Sequence, residues 1–366
     1  MKSFDLSISR REGLMMRGLA IVMILLHNFC HLQRFALPEN EFGFSERYAS
    51  MFFERAALTP GFLYDVLSYL GWYGVPVFMF LSGYGLVRKY EDSSDRLDIL
   101  PFLLSNYRKL VMLMIPGILF FIVKAVIVGF SHAGVNPVEI LKLSSMVTLL
   151  NDPLMPWIPP VPGVYWYFGL TFEFYIIYAL AVNGRSLLPG LILVAATLLL
   201  QFWLAGSPAL EWVRHNATGW LSVFIAGVAY ARLRTVPRGV AIGVGVAAML
   251  MFLPCTLNRF SWQLSLFSPV VFTIVLARLT ESIRVWASFW AWIGGLSPFL
   301  FVAHPVVRSM MLDWFRPSYP SLLHLAAYAM AVVGCALIYR RVWAFTSGLL
   351  SRKSRSDKLL ESGVKK

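Results

Sequence analysis

One arginine and two histidines stand in "RGLAIVMILLHNFCH", residues 17–31, among leucines, isoleucines, valines and methionines that suit lipid. Ionisable side chains are costly in hydrocarbon, so Arg17, His27 and His31 define a functional-site hypothesis. Read as a helix, the stretch sets His27 about 15 Å beyond Arg17 along the axis. At about 100° per residue, Asn28 falls about 20° from the Arg17 azimuth on one side, and His31 about 40° and His27 about 80° away on the other. Such a face offers a cation for an anionic or polarised oxygen and a neutral imidazole for proton abstraction. Arg17, near the helix start, also fits a simpler role, reaching headgroup phosphates from the end of a span. His27 and His31 at i, i+4 have a zinc-compatible spacing, but no HExxH glutamate lies between them and no metal is expected.

Further along, "GWYGVPVFMFLSGYGLVRKY" carries Ser82, Gly83 and Gly85, small residues that suit close helix packing. "VPGVYWYFGLTFEFYIIYAL" carries Glu173, which inside a membrane must be paired, protonated or in water. Lys124 is one partner for it, unless that amine snorkels to the far surface. His304, before Pro305 in "WIGGLSPFLFVAHPVV", reads first as an interfacial histidine.

The elements that must position these groups are membrane helices. The chain is 58% hydrophobic and 14% charged, against about 45–50% and about 25% in soluble domains. Its apolar residues come in unbroken runs of spanning length, which also excludes the alternating strands of a β-barrel. The fold class is therefore all-α, a polytopic transmembrane helical bundle. Ten spans are expected at about 14–32, 66–87, 110–130, 163–182, 187–205, 217–231, 239–254, 262–279, 286–307 and 321–339. Residues 98–107 read as a separate interfacial helix. The first span is no cleavable signal, since Arg17, His27 and His31 interrupt it and no small-residue cleavage site follows.

An even number of spans puts both termini on one side, and 22 of the 32 Lys and Arg residues then fall on that side. Eight fall opposite, Arg308 among them, with Arg17 and Lys124 inside helices. The positive-inside rule makes the terminal side cytoplasmic. The net charge of +13 accordingly reflects topology and gives no reason to expect nucleic acid. Residues 1–349 read as a single transmembrane domain and 350–366 as a basic cytoplasmic tail, an orientation signal with a disordered end. Cys30, Cys255 and Cys335 form neither a disulfide framework nor a CxxC metal motif.

"RGLAIVMILLH", "VPVFMFLSGYGL", "YWYFGLTFEFYIIY" and "GGLSPFLFVAH" together resemble the acyltransferase-3 family of integral membrane proteins, in the family's order and across essentially the whole chain. The resemblance implies a bundle of about ten helices in the bacterial inner membrane. It implies transfer of an acyl group, commonly acetyl, from coenzyme A to a hydroxyl of a cell-surface carbohydrate or related acceptor. By the same resemblance Arg17 and His27 are the arginine and histidine that members need for activity. Ser82, Trp166, Phe174, Tyr175, Ser297 and His304 fall in the other signature blocks.

Three departures stand out. Nine residues separate Arg17 from His27 where ten are usual, so that Asn28 takes the expected slot. His27 then reaches the site through a rotated or distorted helix, or His31 shares its work. Thr171 stands where the family often has glutamate, with Glu173 two residues on. Arg108 and Lys109 replace a paired-arginine motif and are candidates to meet cofactor phosphates. On this reading His27 is the general base and Arg17 the cation that positions the acyl donor. Asn28, His31, Ser82, Glu173, Tyr175 and His304 are possible support. The rival is a proton-coupled transporter with Arg17, His27 and Glu173 in its pathway. The gene product's oligomeric state is not specified by any of these features.

Overall fold

The computed structural model describes residues 3–363 apart from 56–60, 93–96, 133–135, 152, 155–156, 158–161, 315–318 and 320. Lys2, Arg96, Arg316, Lys365 and Lys366 of the charge count lie outside the described residues. A short strand, β1 (Ser3–Asp5), leads into α1 (Arg10–Cys30). After it come α2 (Glu46–Arg55), α3 (Phe62–Leu70), α4 (Gly74–Tyr90), α5 (Ile99–His132) and α6 (Pro137–Ser145). The middle of the chain forms α7 (Trp166–Ile177), α8 (Leu188–Trp203), α9 (Ala209–Arg214) and α10 (Ala217–Leu233). Strand β2 (Thr235–Pro237) precedes α11 (Arg238–Leu257), α12 (Phe267–Thr280), α13 (Arg284–Trp314) and α14 (Leu322–Gly363).

Among the described residues, eight helical stretches are long and apolar enough to cross a membrane. The expected fifth and sixth spans are α8 and α10, of 16 and 17 residues. Seventeen residues reach only about 26 Å, less than a hydrocarbon core of about 30 Å. Helix α10 is wrapped by neighbours, with Trp220, Val223, Phe224 and Val228 wholly buried. The bundle is thus the all-α membrane architecture that the hydropathy pattern implies.

Several details differ from the sequence expectation. Residues 98–107 are no separate helix but the opening turns of α5. The second span is broken into α3, a 3-10 turn at Gly71–Tyr73 and α4. Pro76 accounts for the break, because it lacks the amide for residue 72 and its ring crowds that carbonyl. Residues 350–363 continue α14 as helix.

Helix α1 is the axis of the bundle, packed along α13 and against α3, α4, α12 and α14. Gly18 and Gly294 let α1 and α13 cross closely, since a Cβ on either would overlap the other's backbone. Ser9 and Glu12 close a capping box at the start of α1, and Glu12 also meets Arg278 at 3.4 Å. At the same end β1 pairs antiparallel with β2, and Arg232 grips Glu91 at 2.6 Å. The Tyr339 hydroxyl of α14 donates to the Leu113 carbonyl of α5 at 2.6 Å.

Candidate active site

Two cavities open along one stripe of α1. The first, of about 230 Å³, is lined by Arg17, Ile21, Ser82, Thr171, Tyr175 and Ser297 among others. The second, of about 190 Å³, lies toward the C-terminal end of α1 and holds His27, His31, Glu39, Trp166, His215 and Arg308. Ile24, Tyr167 and Phe301 line both and form the neck between them. The α1 positions used are 17, 21, 24, 27, 28 and 31, a continuous helical track. A third void, of about 560 Å³ beside α8, is mostly apolar and includes no histidine or carboxylate.

His27 is buried, with 2% of its surface exposed. Its Nδ1 lies 2.9 Å from the Ser68 carbonyl. A carbonyl only accepts, so Nδ1 carries a proton and Nε2 is the nitrogen turned away from Ser68. Ser68 can reach it because the helix break leaves Gly71 against α1, where a Cβ would come within 2.6 Å of His27 Cβ. Helix α1 runs undistorted past this point. His27 sits at the edge of the cavity stripe, and the structure meets it there with a carboxylate: Glu39 Oε2 lies 2.6 Å from Nε2, out of line for a hydrogen bond. Glu41 Oε2 follows at 3.9 Å. His31 stacks on His27 with centroids 4.8 Å apart, its Nδ1 donating to the His27 carbonyl at 3.0 Å.

Asn28 does not present its amide to the cavity as a reactive group. Its Nδ2 donates to the Ile24 carbonyl at 2.9 Å, and its Oδ1 accepts from Arg308 at 3.0 Å. Arg308, counted above as a loop charge, is thereby corrected: it lies within α13 and bonds α1 from the side.

The loop bearing Glu39 and Glu41 is braced on both flanks. The Leu37 amide donates to Asp65 at 2.9 Å, the Ser68 hydroxyl donates to the Leu37 carbonyl, and Asn40 bonds the Tyr69 hydroxyl at 3.0 Å. On the far flank Arg214, wholly buried, donates to the Glu41 carbonyl and to Gln263, each at 2.9 Å. Its guanidinium lies between the faces of Trp262 and Trp220, 4.0 and 4.7 Å from their centroids. Burial lowers Arg214 to about 9, and Glu41 opposes the fall, so it remains a cation.

Burial opposes ionisation of Glu39, but its coupling to the neighbouring His31 and His27 imidazoles, whose protonation favours the carboxylate, draws the carboxyl below the ordinary carboxylate range. Burial pushes the Glu41 carboxyl up, and the Glu39 charge pushes it further. Of the two carboxyls, Glu39 is therefore the more readily ionised. Burial takes the His31 imidazole down to about 4 despite Glu39 nearby, so it is neutral. His215, lowered chiefly by burial, stacks on Phe42 with centroids 3.7 Å apart.

In the first cavity, Arg17 has no hydrogen-bond or ion-pair partner among the described residues. Ser82 donates to its own helix at the Phe78 carbonyl, 2.8 Å away, and Gly83 packs against the Phe224 carbonyl of α10. Arg108 and Lys109 are exposed on α5, just before Leu110 and Leu113 of the cavity wall.

Three expectations are corrected. Glu173 lines neither cavity and is not joined to Lys124. Its Oε2 accepts from the Ala217 amide at 2.6 Å, at the start of α10, while Lys124 donates to Ser309. His304 is no interfacial residue: it is wholly buried against Phe301, lines neither cavity, and neither ring nitrogen has a hydrogen-bond partner.

Glu39, Glu41, Phe42 and His215 were not singled out from the sequence, and Arg214 and Arg308 entered it only as charges. "LPENEFGF" gives one hint, two carboxylates and two aromatics soon after the first span, but nothing in its spacing points back at His27.

Residues 15–341 match a family model described as an acyltransferase domain. No curated protein matches the chain, and no solved structure matches it.

Proposed function

This chain belongs to the acyltransferase-3 family, and from that premise we propose that it moves an acyl group from acyl-coenzyme A to a hydroxyl acceptor, with His27 as general base. The acyl group is acetyl, and the acceptor is a cell-surface carbohydrate or a related molecule. The observation that carries this reading is the state of His27 itself. Its Nδ1 is held by the Ser68 carbonyl, and its Nε2 meets the Glu39 carboxylate at 2.6 Å inside a small cavity.

In the proposed reaction His27 Nε2 takes the acceptor hydroxyl proton as the oxygen attacks the thioester carbonyl. The tetrahedral intermediate collapses with loss of the C–S bond, and His27 returns the proton to the departing thiolate. Products are the ester and coenzyme A thiol. Glu39 stabilises the imidazolium formed between these steps, acting as a positioning residue. Arg17 binds the donor from the first cavity, and Arg108 and Lys109 attract its phosphates at that end. The thioester then lies at the neck formed by Ile24, Tyr167 and Phe301. The acceptor enters the second cavity, where Trp166, Phe42 and His215 offer flat faces to a sugar ring.

The charge asymmetry supports placing the Arg17 end, with both termini, in the cytoplasm of a bacterial inner membrane. The transporter reading loses one of its residues, because Glu173 serves the start of α10 and lies off both cavities.

Transfer of labelled acetyl from acetyl-coenzyme A in membranes tests the proposal. Membranes with the unaltered chain label an envelope glycan, and those with His27→Ala at equal expression do not. Undiminished labelling by His27→Ala would exclude His27 as the base.

A further inference from the structure

We propose that His27, His31 and Glu39 form a binding site for a divalent transition-metal ion, zinc in the first instance, and that its occupancy switches acyl transfer off. The inhibitory half rests on His27 being the base, as above, whereas the binding half stands on geometry alone.

Both histidines are prepared in the way metal-binding histidines are. Each donates Nδ1–H to a backbone carbonyl, His27 to Ser68 at 2.9 Å and His31 to His27 at 3.0 Å. That contact fixes the tautomer and leaves each Nε2 lone pair outward, the second-shell arrangement seen at ligating imidazoles. Their i, i+4 spacing on one helix brings the two rings together, and the Glu39 carboxylate closes the third side. The ligand atoms of all three lie within 4.8 Å of one another. A zinc ion at about 2.0–2.2 Å from each needs them about 3.4 Å apart, so the 2.6 Å His27–Glu39 contact opens and the wider spacings close, through rotations of His31 and Glu39, both only partly buried.

A second observation points to a ligand independently. His27 Nε2 and Glu39 Oε2 are both buried and both without a hydrogen-bond partner, although only 2.6 Å apart. An ion between such atoms satisfies both at once. Two imidazoles and one carboxylate suit zinc and its neighbours rather than calcium or magnesium, which prefer all-oxygen sets. The fourth side faces the 190 Å³ cavity and is free for water. Helix α1 alone supplies only the i, i+4 histidine pair of this set. The glutamate absent between the histidines as HExxH arrives instead from the following loop.

The consequence for the reaction is competition. The lone pair that would accept the hydroxyl proton is the one that would bind the metal, so a metal-loaded site has no base. Metal in the envelope then restrains acylation, and removing it releases the enzyme.

The test uses the purified full chain in detergent, stripped with chelator, with cobalt(II) and zinc(II) as probes. The expected result is one cobalt per chain with the visible d–d absorption of a tetrahedral site, displaced by zinc. His31→Gln and Glu39→Gln each weaken binding by roughly 10-fold or more, while His324→Gln, which lines neither cavity, does not. Thermal unfolding of each variant verifies folding, so that lost binding is not mistaken for lost structure. Added zinc lowers acetyl transfer by the unaltered chain, and chelator restores it. Sub-stoichiometric cobalt, or binding unchanged in both His31→Gln and Glu39→Gln, would overturn the site. Transfer abolished by chelator and restored by zinc would overturn the inhibitory role. Full transfer by His27→Ala, with metal binding still lost in the other variants, would sink the base assignment and leave the site standing.

Discussion

Glu39 Oε2 lies 2.6 Å from Nε2 of His27, although the two residues are joined only through a loop leaving the first helix. That contact places an ionised carboxylate on the nitrogen that the proposed chemistry requires. Glu39→Gln keeps the shape of the side chain and removes its charge. Acyl transfer is expected to fall roughly 10- to 100-fold in kcat, within the range that general-base assistance supplies. The acidic limb of the pH–rate profile is expected to move down, because an imidazolium without its carboxylate loses its proton more readily. A merely structural role would lower the amount of folded enzyme and leave that limb in place.

Arg17 faces the first cavity with no hydrogen-bond or ion-pair partner among the described residues. A cation so placed is available to the donor. Arg17→Ala is expected to raise KM for acetyl-coenzyme A by about 10-fold or more, and Arg17→Lys to recover part of it. KM for the acceptor should stay near its original value. A change confined to the acceptor would show that Arg17 serves the other substrate.

Asn28 and Arg308 supply the contrasting case of a polar pair at the site that acts on structure. Replacing Asn28 with Ala removes the Oδ1 acceptor at 3.0 Å and leaves the guanidinium only the backbone carbonyl at 3.1 Å. The expected loss is about 1–3 kcal/mol of stability, read as a lower melting temperature in detergent, with transfer per folded molecule within a few-fold of normal. Asn28→Asp should hold stability, since it pairs with the same arginine. A large drop in kcat without destabilisation would instead put Asn28 in the reaction.

The register of α1 shows what was legible beforehand. Arg17, His27 and His31 declare themselves by type against an apolar background, and the helical period places them on neighbouring azimuths. The all-α membrane bundle follows from the length of apolar runs, which hydrocarbon thickness dictates, although eight rather than ten stretches are long and apolar enough to cross among the described residues. The nine-residue gap from Arg17 to His27, by contrast, has its answer outside the helix. Gly71 lets the broken second span close on His27, and the loop at 37–45 brings Glu39 to it. Loop residues have no period to betray their direction, and Glu39 becomes visible only once Arg214, Asp65 and Tyr69 have fixed the loop in space. Glu173 misleads for the reverse reason. A membrane carboxylate is conspicuous by type, but here one of its oxygens is taken by a helix N-terminus and neither cavity reaches it.

Glu173 accepts from the Ala217 amide, one of the donors that every helix start leaves unpaired. Glu173→Gln retains an oxygen acceptor and should be close to neutral for both stability and transfer. Glu173→Ala should cost on the order of 1 kcal/mol, the usual worth of a helix cap, with transfer per folded molecule preserved. Melting temperature and initial rate measured on the same preparations separate the two effects. Loss of transfer by a normally stable Glu173→Gln would return this residue to the reaction.

Acid stability tests the electrostatics of the second cavity directly. Burial holds the His31 imidazole at about 4, against about 6.5 in an unfolded chain. Between those values the unfolded chain binds the proton and the folded one does not, so folding stability falls as pH is lowered through that window. His215, also depressed by burial, acts in the same direction. Glu41 acts oppositely, since its raised carboxyl stabilises the fold while protonated and that gain is lost as pH rises through its folded value. Glu39, held ionised, adds its own loss only at still lower pH, as its carboxyl finally protonates. The melting temperature in detergent is therefore expected to drop between pH 6.5 and 4, with His31→Gln flattening the slope and His31→Gln with His215→Gln flattening it further. One pKa unit corresponds to about 1.4 kcal/mol, and partial exposure of His31 reduces its full share to on the order of 2 kcal/mol. An unchanged slope in both variants would mean that these imidazoles already share solvent with the bulk and that the second cavity is open water.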